Sequence, residues 1–148
     1  MRKPVLVASL AAVLLVAGCE EQAPTYVIST DPTDIRECEV LFAVAKQYYR
    51  YGGATTAPRM RAPQRREITK CDWAGAGLTF AERTPENRFD WVQFDRPVFG
   101  PVGAEVRTMR SESNDFVIMH ECHLNAWQGA WYLGKCRDIS VAPQQGLE

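Results

Sequence analysis

Five cysteines punctuate this chain of 148 residues, at positions 19, 38, 71, 122 and 136. Cys19 stands apart at the end of an apolar run, so the body of the chain carries four. No two of these form a CxxC pair, and their successive spacings of 33, 51 and 14 residues suit covalent bridges better than a zinc site. Four cysteines allow three pairings. The last two lie in segments that read as neighbouring strands, 115–126 and 130–138, joined by a turn at Gln128-Gly129. A register in which paired positions sum to 258 sets Cys122 opposite Cys136, Glu121 opposite Arg137 and Trp127 opposite Trp131. A slip of one residue would send the two thiols to opposite sheet faces, where no bridge closes. Cys122–Cys136 is therefore expected, which leaves Cys38–Cys71 to pin a helix to the first strand.

The segment ahead of Cys19 has a shape of its own. Arg2 and Lys3 precede an apolar run from Val5 to Val16, broken only by Ser9 and followed by Ala17-Gly18-Cys19. The run is about twelve residues, short of the roughly 20 that an α-helix needs to span a bilayer. It resembles the lipobox of bacterial lipoproteins, Leu-(Ala/Ser)-(Gly/Ala)-Cys. Ala17, Gly18 and Cys19 match its last three positions, and Val16 takes the place of the leucine. The resemblance covers 19 of the 148 residues. It implies cleavage before Cys19, diacylglycerol on its thiol and acylation of the new amine, so that membrane lipid is a partner. Each buried methylene contributes about 0.8 kcal/mol, which lets two or three chains hold a protein without a spanning helix. In such lipoproteins an aspartate after the cysteine signals inner-membrane retention. Glu20 stands here instead, which implies an outer-membrane location with the domain facing the periplasm. That oxidising compartment agrees with two disulfides. The competing reading of the segment is an uncleaved anchor or a plain secretory signal.

Without residues 1–18 the chain keeps 130 residues, with 15 basic and 18 acidic side chains, net −3. That length supports one domain with a real core. The mild acidity argues against nucleic acid as a partner. The expected division is a lipidated tether over 19–30, one globular domain over 31–140 and a flexible tail over 141–148.

Asp31-Pro32 starts a helix, with Asp31 as N-cap, Pro32 at the first helical position, and Asp34 and Glu37 near the positive end of the dipole. Ile35, Cys38, Phe42, Ala45 and Tyr49 recur at steps of three and four, with Leu41 and Tyr48 widening the same face. Gly52-Gly53 is the expected stop. Residues 52–66 read as loop, and Arg59, Arg61, Arg65 and Arg66, with Lys70 beyond, form the one basic cluster. The four arginines are the candidate binding residues, for an acidic partner or anionic headgroups near a tethered surface. From Glu67 a strand is expected, with Thr69, Cys71 and Trp73 on one face. Ala74-Gly75-Ala76-Gly77 reads as a turn or bulge, since it lacks the spacing of a dinucleotide loop. Segments 89–96, 104–110, 115–126 and 130–138 are the further strands, separated by Pro/Gly at 97–103 and Ser/Asn/Asp at 111–115. The fold class is α+β: one N-terminal helix on an antiparallel sheet of about five strands.

Candidate chemistry centres on His120-Glu121-Cys122-His123. This is not HExxH, and on a strand the period of two sends His120 and His123 to opposite faces, so they cannot share a metal without a bulge. His120 shares a face with Phe116, Ile118 and Leu124 and reads as a hydrogen-bonded core histidine. Carboxylate pairs such as Asp72 with Glu105 or Glu121 lack an identifying spacing, and no GxSxG is present. No cofactor, resident metal or catalytic residue is assigned. Trp73, Trp91, Trp127, Trp131 and Tyr132 read as core or hairpin stabilisers, and any exposed ones suit recognition of protein or glycan. The function expected is a non-enzymatic binding or accessory module of the cell envelope, with an envelope protein as partner. The alternatives are an inhibitor or immunity protein against a toxin or cell-wall hydrolase, and a small metal-dependent enzyme using His120 or His123.

Overall fold

A computed structural model of the chain describes residues 27–61, 70–113 and 115–143. The signal segment, Cys19, Arg65, Arg66 and residues 144–148 lie outside the described residues. The one helix among the described residues, α1 (Pro32–Gln47), opens as its sequence dictates: the Asp31 carboxylate accepts from the Thr33 N–H at 2.7 Å, and Pro32 fills the first turn. It ends before the glycines expected to stop it. The Tyr48 and Tyr49 N–H groups both return to the Val44 carbonyl, Tyr51 returns to that of Ala45, and Arg50 takes a left-handed φ of 61°. Three tyrosines are thereby turned onto the sheet, and packing rather than glycine terminates the helix. Its buried face is also rotated from the expected one. Ile35 is 45% exposed, while Asp34 and Glu37 are buried beside Cys38, Leu41, Val44 and Ala45, because a lysine from another part of the chain meets them there. None of the described helices is long and apolar enough to cross a membrane.

Six strands form one mixed sheet, mostly antiparallel: β1 (Arg59–Met60), β2 (Trp91–Phe94), β3 (Val98–Phe99), β4 (Gly103–Ser111), β5 (Phe116–Trp127) and β6 (Ala130–Pro143). The order is β1-β2-β4-β5-β6, with β3 beside the start of β4 and β1 parallel to β2. The α+β expectation holds. Two strands of only two residues had escaped it, since neither can show a period: β1 inside the expected loop 52–66, and β3 inside the Pro/Gly separator. The α1 helix packs on β6 and β4, and the core between helix and sheet gathers Leu41, Val44, Val92, Val106, Cys122 and Leu124.

The strand expected from Glu67 does not form among the described residues. Residues 73–77 are a turn, and Cys71–Cys38 joins the helix to a loop rather than to a strand. Trp73 wedges between Phe42 of α1 at 5.0 Å, Phe80 at 5.2 Å and Phe94 of β2 at 5.7 Å between ring centroids. The Asp72 carboxylate accepts from the Gly75 N–H at 2.8 Å and lies 2.1 Å from where a Cβ on residue 75 would stand, so this turn needs its glycine. The tether expectation changes as well: Ser29 already belongs to the domain, its N–H donating to the Lys70 carbonyl at 2.9 Å and its hydroxyl to Asp34 at 2.7 Å.

The β5–β6 hairpin has the expected register at its centre, with Cys122 opposite Cys136 and bonded to it, and Glu121 opposite Arg137. Bulges on both sides shift it. Beyond the one between His123 and Leu124, Leu124 faces Leu133 and Trp127 faces Ala130, not Trp131. The cause is the turn. Gln128 and Gly129 both have positive φ, 50° and 79°, the two-residue type I′ geometry that matches strand twist. The strand β6 also runs past its expected end: Val141, Ala142 and Pro143 pair with Ile118, Val117 and Phe116, so the domain extends beyond 140 and the expected tail begins inside the sheet.

Candidate functional site

Three polar clusters and one basic corner stand out. The first is buried. Lys70, Glu37 and Asp34 are 4%, 2% and 6% exposed; the ammonium of Lys70 ion-pairs with Glu37 and lies 3.5 Å from Asp34, while Arg96 Nε donates to Glu37 from the rim at 2.7 Å. Lys70 therefore leaves the basic cluster assigned to it by sequence. The helix places Asp34 one turn before Cys38 and Glu37 directly before it, and Cys71 follows Lys70, so bridge and ion pairs fasten the same two segments.

The second cluster lies at the helix end. His120 is buried on the helix-facing side of β5, as expected, with Nδ1 2.8 Å from Asp138 Oδ1 and 3.0 Å from Tyr48 Oη. With its proton on Nδ1, the ring would donate to both the carboxylate and the phenol oxygen. Burial, then the charge of Asp138, pushes the Tyr48 hydroxyl above its ordinary pKa. Beside it Tyr49 bonds the Thr108 hydroxyl at 2.6 Å, and burial drives its pKa well above the usual phenol value. Sequence reasoning had seen these tyrosines only as apolar helix positions.

The third cluster occupies the opposite sheet face. Glu105, Glu121 and His123 bring ligand atoms within 4.8 Å of one another, with His123 Nε2 3.4 Å from Glu121 and Nδ1 3.7 Å from Glu105. His120 and His123 do face opposite ways, so no metal takes both. A cation between Glu105, Glu121 and His123 would meet existing positive charge: Arg137 donates twice to Glu121, at 2.5 and 3.1 Å, and Arg107 lies 3.5 Å from it. Asp72, proposed as a carboxylate partner of Glu105 or Glu121, holds its own turn among the loop residues that pack on the helix side of the sheet. Those pairs therefore do not form.

The hydrogen bonds from Arg137 hold the Glu121 carboxyl below the usual carboxylate range. Its contribution to stability is accordingly present above the unfolded value of about 4.3 and is lost as pH falls through the lowered native value. Acid titration of folding should lose part of its slope below about pH 4 in Glu121→Gln. An unchanged acid limb would show that the network contributes nothing.

The basic corner is built by β1. Arg59 pairs with Trp91 across the parallel ladder, and Arg61 lays its guanidinium 4.8 Å over the Trp91 ring. Trp91 is fully buried there. Ala57 bridges Phe80 in parallel, which leads the loop 81–90 along this edge and adds Arg83, close enough to repel Arg59. Arg59 donates to the Arg88 carbonyl, while the Arg88 guanidinium lies over Phe89. The sequence had offered Arg59 and Arg61, with Arg65 and Arg66 outside the described residues; Arg83 was missed because it joins only through the fold.

Concavities lie among these features. One of about 380 Å³, lined by Ile28, Met60, Trp73, Leu78 and Phe80, opens where residue 28 meets the loop. Another, of about 270 Å³, lies between Val98, Val102 and His123, and one of about 300 Å³ between Asp95, Arg96, Glu105 and Arg107. Trp131 is buried as expected, whereas Trp127 and Tyr132 are exposed. Compared with known protein families, curated proteins and solved structures, the chain matches none.

Proposed function

We propose that this chain is a lipid-anchored lipoprotein of the bacterial envelope, held at the outer membrane through acylated Cys19. Its domain acts in the periplasm as a binding or accessory module rather than as an enzyme. The observation that carries this reading is the lipobox segment ending at Cys19, ahead of a small domain closed by two disulfides. The polar clusters lend support. Lys70 with its two acids and Glu121 with its arginines spend their charge on one another, and His120 meets Asp138 at hydrogen-bond distance, in geometries suited to holding the fold. Exposed groups such as Trp127, Tyr132, Val98 and Val102 are the ones free to meet a partner.

Globomycin, which blocks lipoprotein signal cleavage, is expected to make the unprocessed precursor accumulate, and Cys19→Ser to release the protein from membrane fractions. A Cys19→Ser protein that still fractionates tightly with membranes would refute the lipid anchor. Pull-down of envelope extract with the processed protein then separates a binding module, which captures a defined partner, from a protein that captures nothing.

A further inference from the structure

We infer that the corner formed by Arg59, Arg61 and Arg83 is a binding site for a phosphate group. Three guanidinium groups come here from two segments that only the Ala57–Phe80 bridge and the β1–β2 ladder bring together. Two of them are held in place before any ligand arrives. Arg59 is anchored by its bond to the Arg88 carbonyl, and Arg61 by the face of Trp91. The guanidinium of Arg88 lies apart, 4.5 Å over the Phe89 ring. Among the described residues none of the three has a carboxylate partner. Asp90, the acid in their field, is already engaged with Arg110 at 2.5 Å. The Nε of Arg59 is enclosed without any acceptor, an unmade charge-assisted bond of the kind that folded proteins avoid.

The arrangement opposes itself electrostatically. Burial, followed by the repulsion of Arg83 and Arg61, lowers the pKa of Arg59. A bound anion relieves that repulsion. Phosphate suits the geometry better than a carboxylate. One guanidinium fork already satisfies a carboxylate, whereas a phosphate presents acceptors in several directions to donors arriving from two segments. This inference does not depend on the lipid anchor, and the phosphate can come from a soluble compound or from a lipid headgroup.

The test uses the full chain carrying Cys19→Ser, isotope-labelled, in neutral detergent micelles, with the arginine Nε–H resonances as the readout. One arm adds inorganic phosphate, a second dopes the micelles with phosphatidylglycerol, and a third adds polyglutamate. Saturable shifts of Arg59 and Arg61 are expected in at least one of the first two arms. Response to inorganic phosphate alone identifies a solute site; response to phosphatidylglycerol alone identifies a headgroup site. The double variant Arg59→Gln, Arg61→Gln is expected to weaken binding by roughly tenfold or more. Arg83→Gln, in an exposed loop, should weaken it less, and Arg36→Gln, stacked on Phe99, should leave it unchanged. Intact disulfides and an unchanged circular dichroism spectrum establish that the variants fold. No saturable shift in either phosphate arm, equal affinity in the double variant, or response to polyglutamate alone would each overturn the assignment.

Discussion

Replacing Lys70 with methionine is expected to cost about 3–5 kcal/mol of folding free energy, because it removes the buried cation that Glu37 and Asp34 share. Lys70, Glu37 and Asp34 are all nearly inaccessible, so water cannot take over the lost interaction. Arg96 reaches Glu37 from outside with its own side chain 66% exposed, and a rim charge of that kind contributes roughly 0–1 kcal/mol. The contrast is the test. Urea unfolding should place Lys70→Met several kcal/mol below the parent and Arg96→Ala close to it. A loss under about 1 kcal/mol for Lys70→Met would show that the acids protonate or find solvent, and that the cluster is not a fastening.

Loss of the Cys38–Cys71 bridge should be of similar size. Closing a loop whose ends lie 33 residues apart stabilises by roughly 3–4 kcal/mol in the chain-entropy model, and the 14-residue separation of Cys122–Cys136 by about 3 kcal/mol. Each is a large share of the 5–15 kcal/mol typical of a domain. Reduction should therefore lower the melting temperature strongly, with Cys38→Ser, Cys71→Ser reproducing part of the fall. Peptide mapping of the unreduced protein by mass spectrometry provides the check: a Cys38–Cys122 or Cys38–Cys136 peptide, or four free thiols, would contradict the pairing. Since Glu37 precedes Cys38 and Lys70 precedes Cys71, the two losses should not add. Once the bridge is open, removing Lys70 should cost less than it does in the bridged protein.

The parts of this fold written in local chemistry could be read from the sequence. Asp31-Pro32 can do little except start a helix, and the pairing of Glu121 with Arg137 around Cys122–Cys136 follows from alternation alone. What could not be read depends on distant neighbours. Thr69, Cys71 and Trp73 alternate as a strand would, yet the two described ones have separate tasks: Cys71 bonds the helix and Trp73 fills a gap between three aromatic rings. Lys70 looks like one more loop cation until Asp34 and Glu37, more than thirty residues earlier, are seen turned inward. The Trp127–Trp131 pairing failed on one bulge, a residue that alternation cannot anticipate. The arginine corner shows the same limit. Two of its members lay in the basic run, and the third, Arg83, arrives through a single bridge at Ala57.

One side chain sets a condition on how this molecule is assembled. Gln47, the last residue of α1, donates its amide to the Trp131 carbonyl and accepts from the Leu133 N–H, both at 2.8 Å. It thus occupies the outer edge of β6 as a neighbouring strand would. Among the described residues, the fourteen of β6 are the longest stretch of the sheet with an unpartnered flank, the kind of template on which a second chain can lay itself down. Gln47, 84 residues from Trp131 in the sequence, covers that flank at Trp131 and Leu133. Whenever the helix is undocked, those two backbone groups are open to any extended polypeptide nearby.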